Sequence, residues 1–394
     1  MKSTILNTGE WLSKPRIVIG IMSGTSLDGV DIAIARFDNN NGKHTFTQLH
    51  EYTQEFSRPA FVQFKRLIEE PVTIAEVCDA SVFLMQLYQA AIETACQQAN
   101  ISIQEIDAIG IHGQTVWHSP KPHEYIDTQL RSTLQLASGS SLANTLGCTV
   151  VSDFRTADVA LGGEGAPLVP IFDYHFLKDD SQQTVALNIG GIANVTLLPA
   201  NASLDSLIAF DTGPGNVWID ATMMYYYGKR YDTNGNTAKA GVLIPQMLEE
   251  LQALPFIHQA PPKSTGRELF SHENLHFLLN KYMRIARPPE DAVATLTEFT
   301  AWSIAHNINT FAPDTQRVIV SGGGARNTFL LDKLSHYSPT TQILTSNDIG
   351  ISIDAKEALC FAYLTYRTLA GLHSNIPSVT GASKTAVLGS ISIP

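Results

Sequence analysis

The chain has 394 residues, 44% hydrophobic and 16% charged, which supplies a large apolar core and favours two domains over one. Its net charge of -11 sets aside non-specific nucleic-acid binding, which draws on positive surface to displace phosphate counterions. Four scattered cysteines, Cys78, Cys96, Cys148 and Cys360, make no CxxC pair, and no apolar run approaches the ~20 residues that cross a bilayer, so zinc, disulfide-framework and membrane roles fall away. Residues 1–16 lack the apolar core of a secretory signal, and a reducing cytoplasm is the expected compartment.

Residues 17–22 are an apolar run, followed by small residues at 23–29 and by 30–37, apolar on both faces; the pattern predicts strand, tight loop, returning strand. A third extended segment, 44–52, follows the turn at Asn39, Asn40 and Gly42, and 61–98 has helical periodicity. Residues 107–112 read as a buried strand, the stretch around Pro120 and Pro122 as a loop, 134–146 as a helix and 148–152 as a strand, an α/β alternation. After a polar connection at 178–183, residues 184–198 repeat the opening pattern of strand, Gly190-Gly191, strand. That recurrence is longer than any solenoid repeat and points to two related domains around a cleft. Helices at 217–227 and 291–309, a strand at 317–321 and a late helix at 354–369 follow. The expected divisions are an N-terminal domain over 1–182, a C-terminal domain over 183–371 and a tail over 372–394.

Three glycine loops each follow an apolar strand: Gly24-Thr25-Ser26-Leu27-Asp28-Gly29, Gly190-Gly191 and Gly322-Gly323-Gly324. Glycine after a strand lets backbone approach a ligand closely, since no Cβ stands in the way. No GxxxxGK[ST] occurs, and the first loop leads into a strand where a dinucleotide-binding loop would open a helix, so P-loop and Rossmann readings fail. The set resembles the phosphate-1, phosphate-2 and adenosine motifs of the actin/hexokinase/Hsp70 superfamily. That resemblance implies two ribonuclease H-like α/β domains flanking an ATP-binding cleft. Gly24, Thr25, Ser26, Leu27, Asp28, Gly29, Val30 and Asp31 would face the phosphates with Gly190 and Gly191, and Gly322, Gly323 and Gly324 would contact the nucleoside. Mg²⁺ would share the charge neutralisation with backbone dipoles; Asp28 either reaches it through water or steadies its own loop.

Asp211 lies after a short apolar run and before the bend Gly213-Pro214-Gly215, placed either to act on a ligand or to cap the following helix. The heptapeptide from Phe210 to Asn216 resembles a motif of the anhydro-N-acetylmuramic acid kinases. So do Ile21-Met22-Ser23-Gly24-Thr25-Ser26-Leu27-Asp28-Gly29, His112-Gly113-Gln114-Thr115, Asp153-Phe154-Arg155, Gly165-Ala166-Pro167-Leu168-Val169-Pro170, Asn188-Ile189-Gly190-Gly191, Lys263-Ser264-Thr265-Gly266-Arg267-Glu268 and Ser321-Gly322-Gly323-Gly324, in the family's order. The resemblance implies a reaction of ATP, water and 1,6-anhydro-N-acetylmuramic acid to ADP and N-acetylmuramic acid 6-phosphate, and a homodimer. Asp211 matches the family's base, and Glu357 a position near the sugar, against a plain solvated first-turn acid. Arg155 would pair with the lactyl carboxylate, or make a surface ion pair, and among His112, Gln114 and Thr115 one or more would contact sugar.

The spacing of His112, His118 and His123 fits no transition-metal site, and Asp232-Thr233-Asn234-Gly235 reads as a turn rather than a calcium loop. Two rival functions stay open on the sequence: a kinase for an ordinary sugar or carboxylate with the same architecture, and an actin- or Hsp70-like ATP-driven binding protein. The latter wants a separate substrate domain, of which the chain after the late helix shows no sign.

Overall fold

The computed structural model describes residues 8–24, 26–266, 268–283 and 287–394; Thr25 and Arg267 lie outside the described residues. In chain order the strands are β1 (Arg16–Ser23), β2 (Gly29–Asn40), β3 (Lys43–Glu55), β4 (Ala108–Tyr125), β5 (Thr128–Leu136), β6 (Val150–Ser152), β7 (Thr184–Ile189), β8 (Ile192–Leu198), β9 (Ile208–Pro214), β10 (Arg317–Ser321), β11 (Gln342–Thr345) and β12 (Ser390–Ser392). The helices that matter here are α1 (Arg58–Glu69), α2 (Ile74–Ala99), α3 (Gly139–Leu146), α4 (Pro170–Phe176), α5 (Val217–Tyr227), α6 (Pro289–Phe311), α7 (Thr328–Tyr337) and α8 (Lys356–Leu369). Among the described residues no helix is long and apolar enough to cross a membrane.

The chain divides into two compact units, Met1–Phe176 with Ala355–Pro394, and Leu177–Asp354. In the first, the sheet runs β12-β6-β4-β1-β2-β3, with β5 added to β4. β1, β2 and β3 form an antiparallel meander, and β4 and β6 join it in parallel. Ile19, Ile21, Ile32 and Ile109 pack with Phe64, Leu84, Tyr88 and Ile92 of α1 and α2 in one buried cluster. A reciprocal capping box between Thr73 and Glu76 starts α2, and left-handed Asn100 ends it. Helix α8 lies so close to the sheet that a Cβ on Gly20 would overlap the Ala358 carbonyl, and one on Gly110 would sit 2.6 Å from the Phe361 carbonyl.

The second unit repeats the plan. Its sheet runs β11-β10-β7-β8-β9, with β7, β8 and β9 as the antiparallel meander and β10 and β11 added in parallel, the same order and sense as β6-β4-β1-β2-β3. Val185, Leu187, Val195, Val318 and Val320 bury against Ile304 and Ile308 of α6. The recurrence expected from the sequence is therefore a duplicated five-stranded motif, and the fold is two α/β units of one topology.

Four sequence expectations need correction. Residues 372–394 are no tail, and with α8 they belong to the first unit: β12 pairs β6 antiparallel, and Asn375 and Thr380 both bond the buried carboxylate of Asp158. The second unit consequently ends at Asp354, not 371, and begins at Leu177, inside what was expected to be the first domain. The expected helix over 134–146 is split, since β5 runs to Leu136 before α3 begins at Gly139. The expected loop at Pro120 and Pro122 is a continuation of β4. Its pairing with β5 skips from Ser119 to His123, so neither proline occupies a paired position.

Candidate active site

At one end of the second sheet three loops meet. The Gly190 carbonyl accepts from the Asn216 amide at 2.8 Å, and the Gly191 carbonyl accepts from the amides of Gly215 at 2.8 Å and Val217 at 3.1 Å, so the β7–β8 loop is tied to the start of α5. The Asn216 side chain donates to the Ile189 carbonyl at 3.2 Å. The expected nucleotide glycines divide here into two kinds. Gly322 adopts φ +77, and a Cβ there would come 2.6 Å from Asn188 Oδ1; one on Gly324 would come 2.6 Å from Ile189 Cβ. These two are buttresses. By contrast, Cβ atoms on Gly190, Gly191 and Gly323 would find nothing nearer than 3.6 Å, which leaves their backbone open to a ligand.

Asp211 stands on β9 in the same unit, beside a bulge that leaves Thr212 without a counterpart between the pairs Asn194 with Asp211 and Ala193 with Gly213. An extra residue in a strand re-aims the side chains beside it. The Asp211 amide donates to the Lys263 carbonyl at 3.1 Å, and the Thr265 amide donates to Asp211 Oδ2 at 2.8 Å, so segment 263–265 holds both backbone and carboxylate. Helix α5 begins after Asn216, whose side chain makes no cap bond, and Asp211 Oδ2 is held by the Thr265 amide rather than by that helix.

In the first unit, the β1–β2 loop carries Gly24, Ser26, Leu27, Asp28 and Gly29. Leu27 is left-handed at φ 59 and buried in the core, as is Val30 on β2, so these two anchor the loop. Gly29 is pressed against the Gln54 backbone, Ser26 and Asp28 are exposed, and Asp31 accepts from Thr53 Oγ1 at 2.7 Å on the sheet. Gln114, wholly buried on β4, donates to the Gly24 carbonyl at 3.2 Å, while its Oε1 has no partner among the described residues. Thr115 accepts from Gln135 at 3.2 Å within the β4–β5 ribbon.

His112, also buried, is held as a neutral acceptor. Its Nδ1 faces the Gly113 carbonyl at 2.7 Å, and Arg155 directs Nε and Nη2 at its Nε2 from 3.0 and 2.9 Å. Burial first, then the Arg155 charge, holds the imidazole well below its usual range. Arg155 Nη1 donates to the Gly165 carbonyl at 2.7 Å, and burial lowers the guanidinium to about 10 while Glu357 works the other way. Glu357, on the first turn of α8, has an exposed side chain, yet protein crowds it enough to raise its carboxyl above the ordinary range, against Lys356 and Arg155. Beside it, Lys356 is buried in an ion pair with Asp173 of α4 at 2.8 Å. The first unit thus gathers His112, Arg155 and Glu357 into one electrostatic group, with Gln114 under the glycine loop.

A model of the anhydro-N-acetylmuramic acid kinase family matches residues 16–394. The chain is 39% identical over 385 residues to the anhydro-N-acetylmuramic acid kinase of Francisella tularensis subsp. novicida (strain U112), covering 96% of this chain and 99% of that one. It is 37% identical over 377 residues to that of Clostridioides difficile (strain 630), covering 95% and 97%. The chain belongs to the anhydro-N-acetylmuramic acid kinase family. Component A of the (R)-2-hydroxyglutaryl-CoA dehydratase of Acidaminococcus fermentans superposes at a TM-score of 0.46 and 11% identity over 90% of this chain and 99% of that one, too loosely to argue from. Within this kinase chain, the motifs contain Asn216, Lys263, Thr265 and Asp153 without marking a role for them. The structure gives them work: Asn216 locks two loops, 263–265 holds Asp211, and Asp153 Oδ1 accepts from Thr156 to shape the turn that carries Arg155.

Proposed function

We propose that this kinase hydrolytically opens the 1,6-anhydro ring of 1,6-anhydro-N-acetylmuramic acid and phosphorylates O6 with ATP, with Asp211 as base. Water adds to C1 as the C1–O6 bond breaks; O6 bonds the γ-phosphorus as its bond to the ADP oxygen breaks; the water proton passes to the Asp211 carboxylate. Opening the ring makes O6 a nucleophile, and phosphoryl transfer traps it. The observation that carries this reading is the Asp211 carboxylate, fixed by the Thr265 amide on a strand whose neighbouring loops present the open glycines Gly190, Gly191 and Gly323.

Those glycines and the β1–β2 loop would receive ATP. The exposed carboxylate of Asp28 fits a Mg²⁺ ion that keeps most of its ligands from phosphate and water, and such an ion would neutralise charge on the transferring phosphoryl group. Arg155 has N–H groups beyond the three that bond His112 and Gly165, and these suit the lactyl carboxylate; Glu357 would orient the water, and His112, Gln114 and Thr115 would border the sugar. The same reading places the enzyme in the cytoplasm, as a homodimer, in cell-wall recycling and amino-sugar catabolism. The test is product mass spectrometry in ¹⁸O-labelled water, with wild type beside Asp211→Asn. Label at C1 of a 6-phosphorylated sugar, lost in the variant, is expected; a phosphorylated sugar with its bridge intact removes the mechanism.

A further inference from the structure

The Lys263 side chain is one of few lysine side chains buried among the described residues, with two aromatic rings near its ammonium. Its Nζ donates to the carbonyls of Phe256 at 3.1 Å and Ile257 at 2.9 Å, and lies 4.9 Å from the Phe256 ring centroid and 5.7 Å from that of Phe210. Phe210 immediately precedes Asp211. The Lys263 carbonyl accepts the Asp211 amide, and two residues on, the Thr265 amide holds Asp211 Oδ2. One side chain therefore pins, from inside the protein, the segment that fixes the carboxylate. A buried cation is costly unless it is hydrogen-bonded and balanced by charge, and an apolar residue of similar length would fill the same space without that cost. The retained charge calls for a use.

We propose that Lys263 is a positioning residue for Asp211: its ammonium anchors the 263–265 segment whose backbone holds the carboxylate. This rests on the reading of Asp211 as base. The titratable groups that Lys263 feels are Asp211, which favours its protonated form, and His306, whose imidazole it disfavours as a cation; His258 stands beyond, 5.0 Å from the His306 ring. Burial pulls the ammonium down to about 8, with Asp211 opposing, so the cation persists at neutral pH. A hydrogen bond to the ionised form favours a carboxylate over its acid, and Lys263 secures one such bond by anchoring the segment that carries the Thr265 amide.

The experiment measures kcat, both KM values and the pH profile of kcat for Lys263→Met, Lys263→Gln and Asp211→Asn, with calorimetric ATP binding as the check of folding. Lys263→Met should lower kcat by about 10- to 100-fold, leave each KM within about two-fold and move the acid limb of the profile up by about one unit or more. Lys263→Gln keeps N–H donors for the two carbonyls and loses the charge, so it should fold if the Met variant does not. Its acid limb should move up by less than that of the Met variant, with a smaller loss of plateau rate. An acid limb that stays put in the folded variants, or a loss confined to KM, overturns the proposal while Asp211→Asn remains inactive. If Asp211→Asn keeps wild-type kcat, the base assignment itself falls and takes the proposal with it.

Discussion

The pairing of Arg155 with His112 fixes what each can do. A neutral imidazole with Nδ1–H on the Gly113 carbonyl offers only a lone pair at Nε2, and Arg155 takes it with two N–H groups. On the proposed reading His112 aims Arg155 at the sugar rather than acting as an acid. His112→Phe keeps a ring packed near Phe361, now 4.7 Å from the imidazole, but leaves those N–H groups without their acceptor. On the proposed reading Arg155 would then lose its aim at the lactyl carboxylate, a charged hydrogen bond worth about 1.5–3 kcal/mol, so KM for the anhydro sugar should rise by up to roughly 10- to 100-fold while KM for ATP stays within about two-fold. Equal rises in both would disprove the aiming role. The glycine triplet gives a second contrast. Gly322→Ala forces a Cβ onto Asn188 at a left-handed φ and should cost about 1–3 kcal/mol of stability, read as a lower Tm. Gly323→Ala meets only Asn216 Nδ2 at 3.9 Å and should keep its Tm but bind ATP more weakly in calorimetry. Sequence showed three glycines after a strand; which of them buttress Ile189 and which stay open depends on a loop about 130 residues earlier, and no local pattern encodes that.

Helix α8 shows the same limit one scale up. Its periodicity announced a helix, yet the reason it belongs to the first unit is written in two bare glycines of distant strands, Gly20 on β1 and Gly110 on β4, which let its backbone come within touching distance. The β4–β5 ribbon departs from the sequence pattern for a related reason: Pro120 and Pro122 argue against a strand, but only where the ladder needs an N–H, and here the register skips them. What was legible was the apolar pattern with its glycine punctuation; what was not was which distant element each face meets. Docking through glycine makes a sharp prediction. Gly110→Val would drive side-chain atoms into Thr365 and the Phe361 carbonyl, so α8 must shift or the sheet must bend. Glu357 and Phe361 sit on that helix, and Phe361 packs on both His112 and Phe154. The variant should lose about 3 kcal/mol or more of stability and, in whatever folds, kcat as well. Unfolding titration with turnover at matched folded fraction checks both, and a stable, fully active variant would show that the close approach is not required.

Across the molecule one strand order is used twice, and the opening pattern together with its recurrence at residue 184 carries that duplication in the sequence itself. The two copies differ in what they bury. The first unit closes over neutral histidines: His44 Nδ1 meets Tyr363 Oη at 2.6 Å, its ring stacks on His175 at 5.4 Å, and Arg367 Nη1 donates to both His175 Nε2 at 3.0 Å and Tyr363 Oη at 3.1 Å. Tyr366 closes the nest edge-on to His44 at 5.5 Å. Burial, then the Arg367 charge, pulls His44 down to about 4 and His175 to about 3. The folded pKa values are depressed below the unfolded value near 6.5, so between those limits the unfolded chain binds more protons than the folded one. Stability is therefore full above about pH 6.5 and is lost as pH falls toward the folded values. For His44 alone the loss by pH 5 is about 2 kcal/mol, an order-of-magnitude figure, in a range where ordinary carboxylates remain largely ionised. The melting transition of the first unit should drop by several degrees between pH 7.5 and pH 5. In His44→Phe, which keeps the ring stack and removes one titrating group, that drop should shrink measurably. If the variant and the wild type lose the same number of degrees over that interval, His44 is not held neutral by the fold, and the acid sensitivity must be sought among the carboxylates.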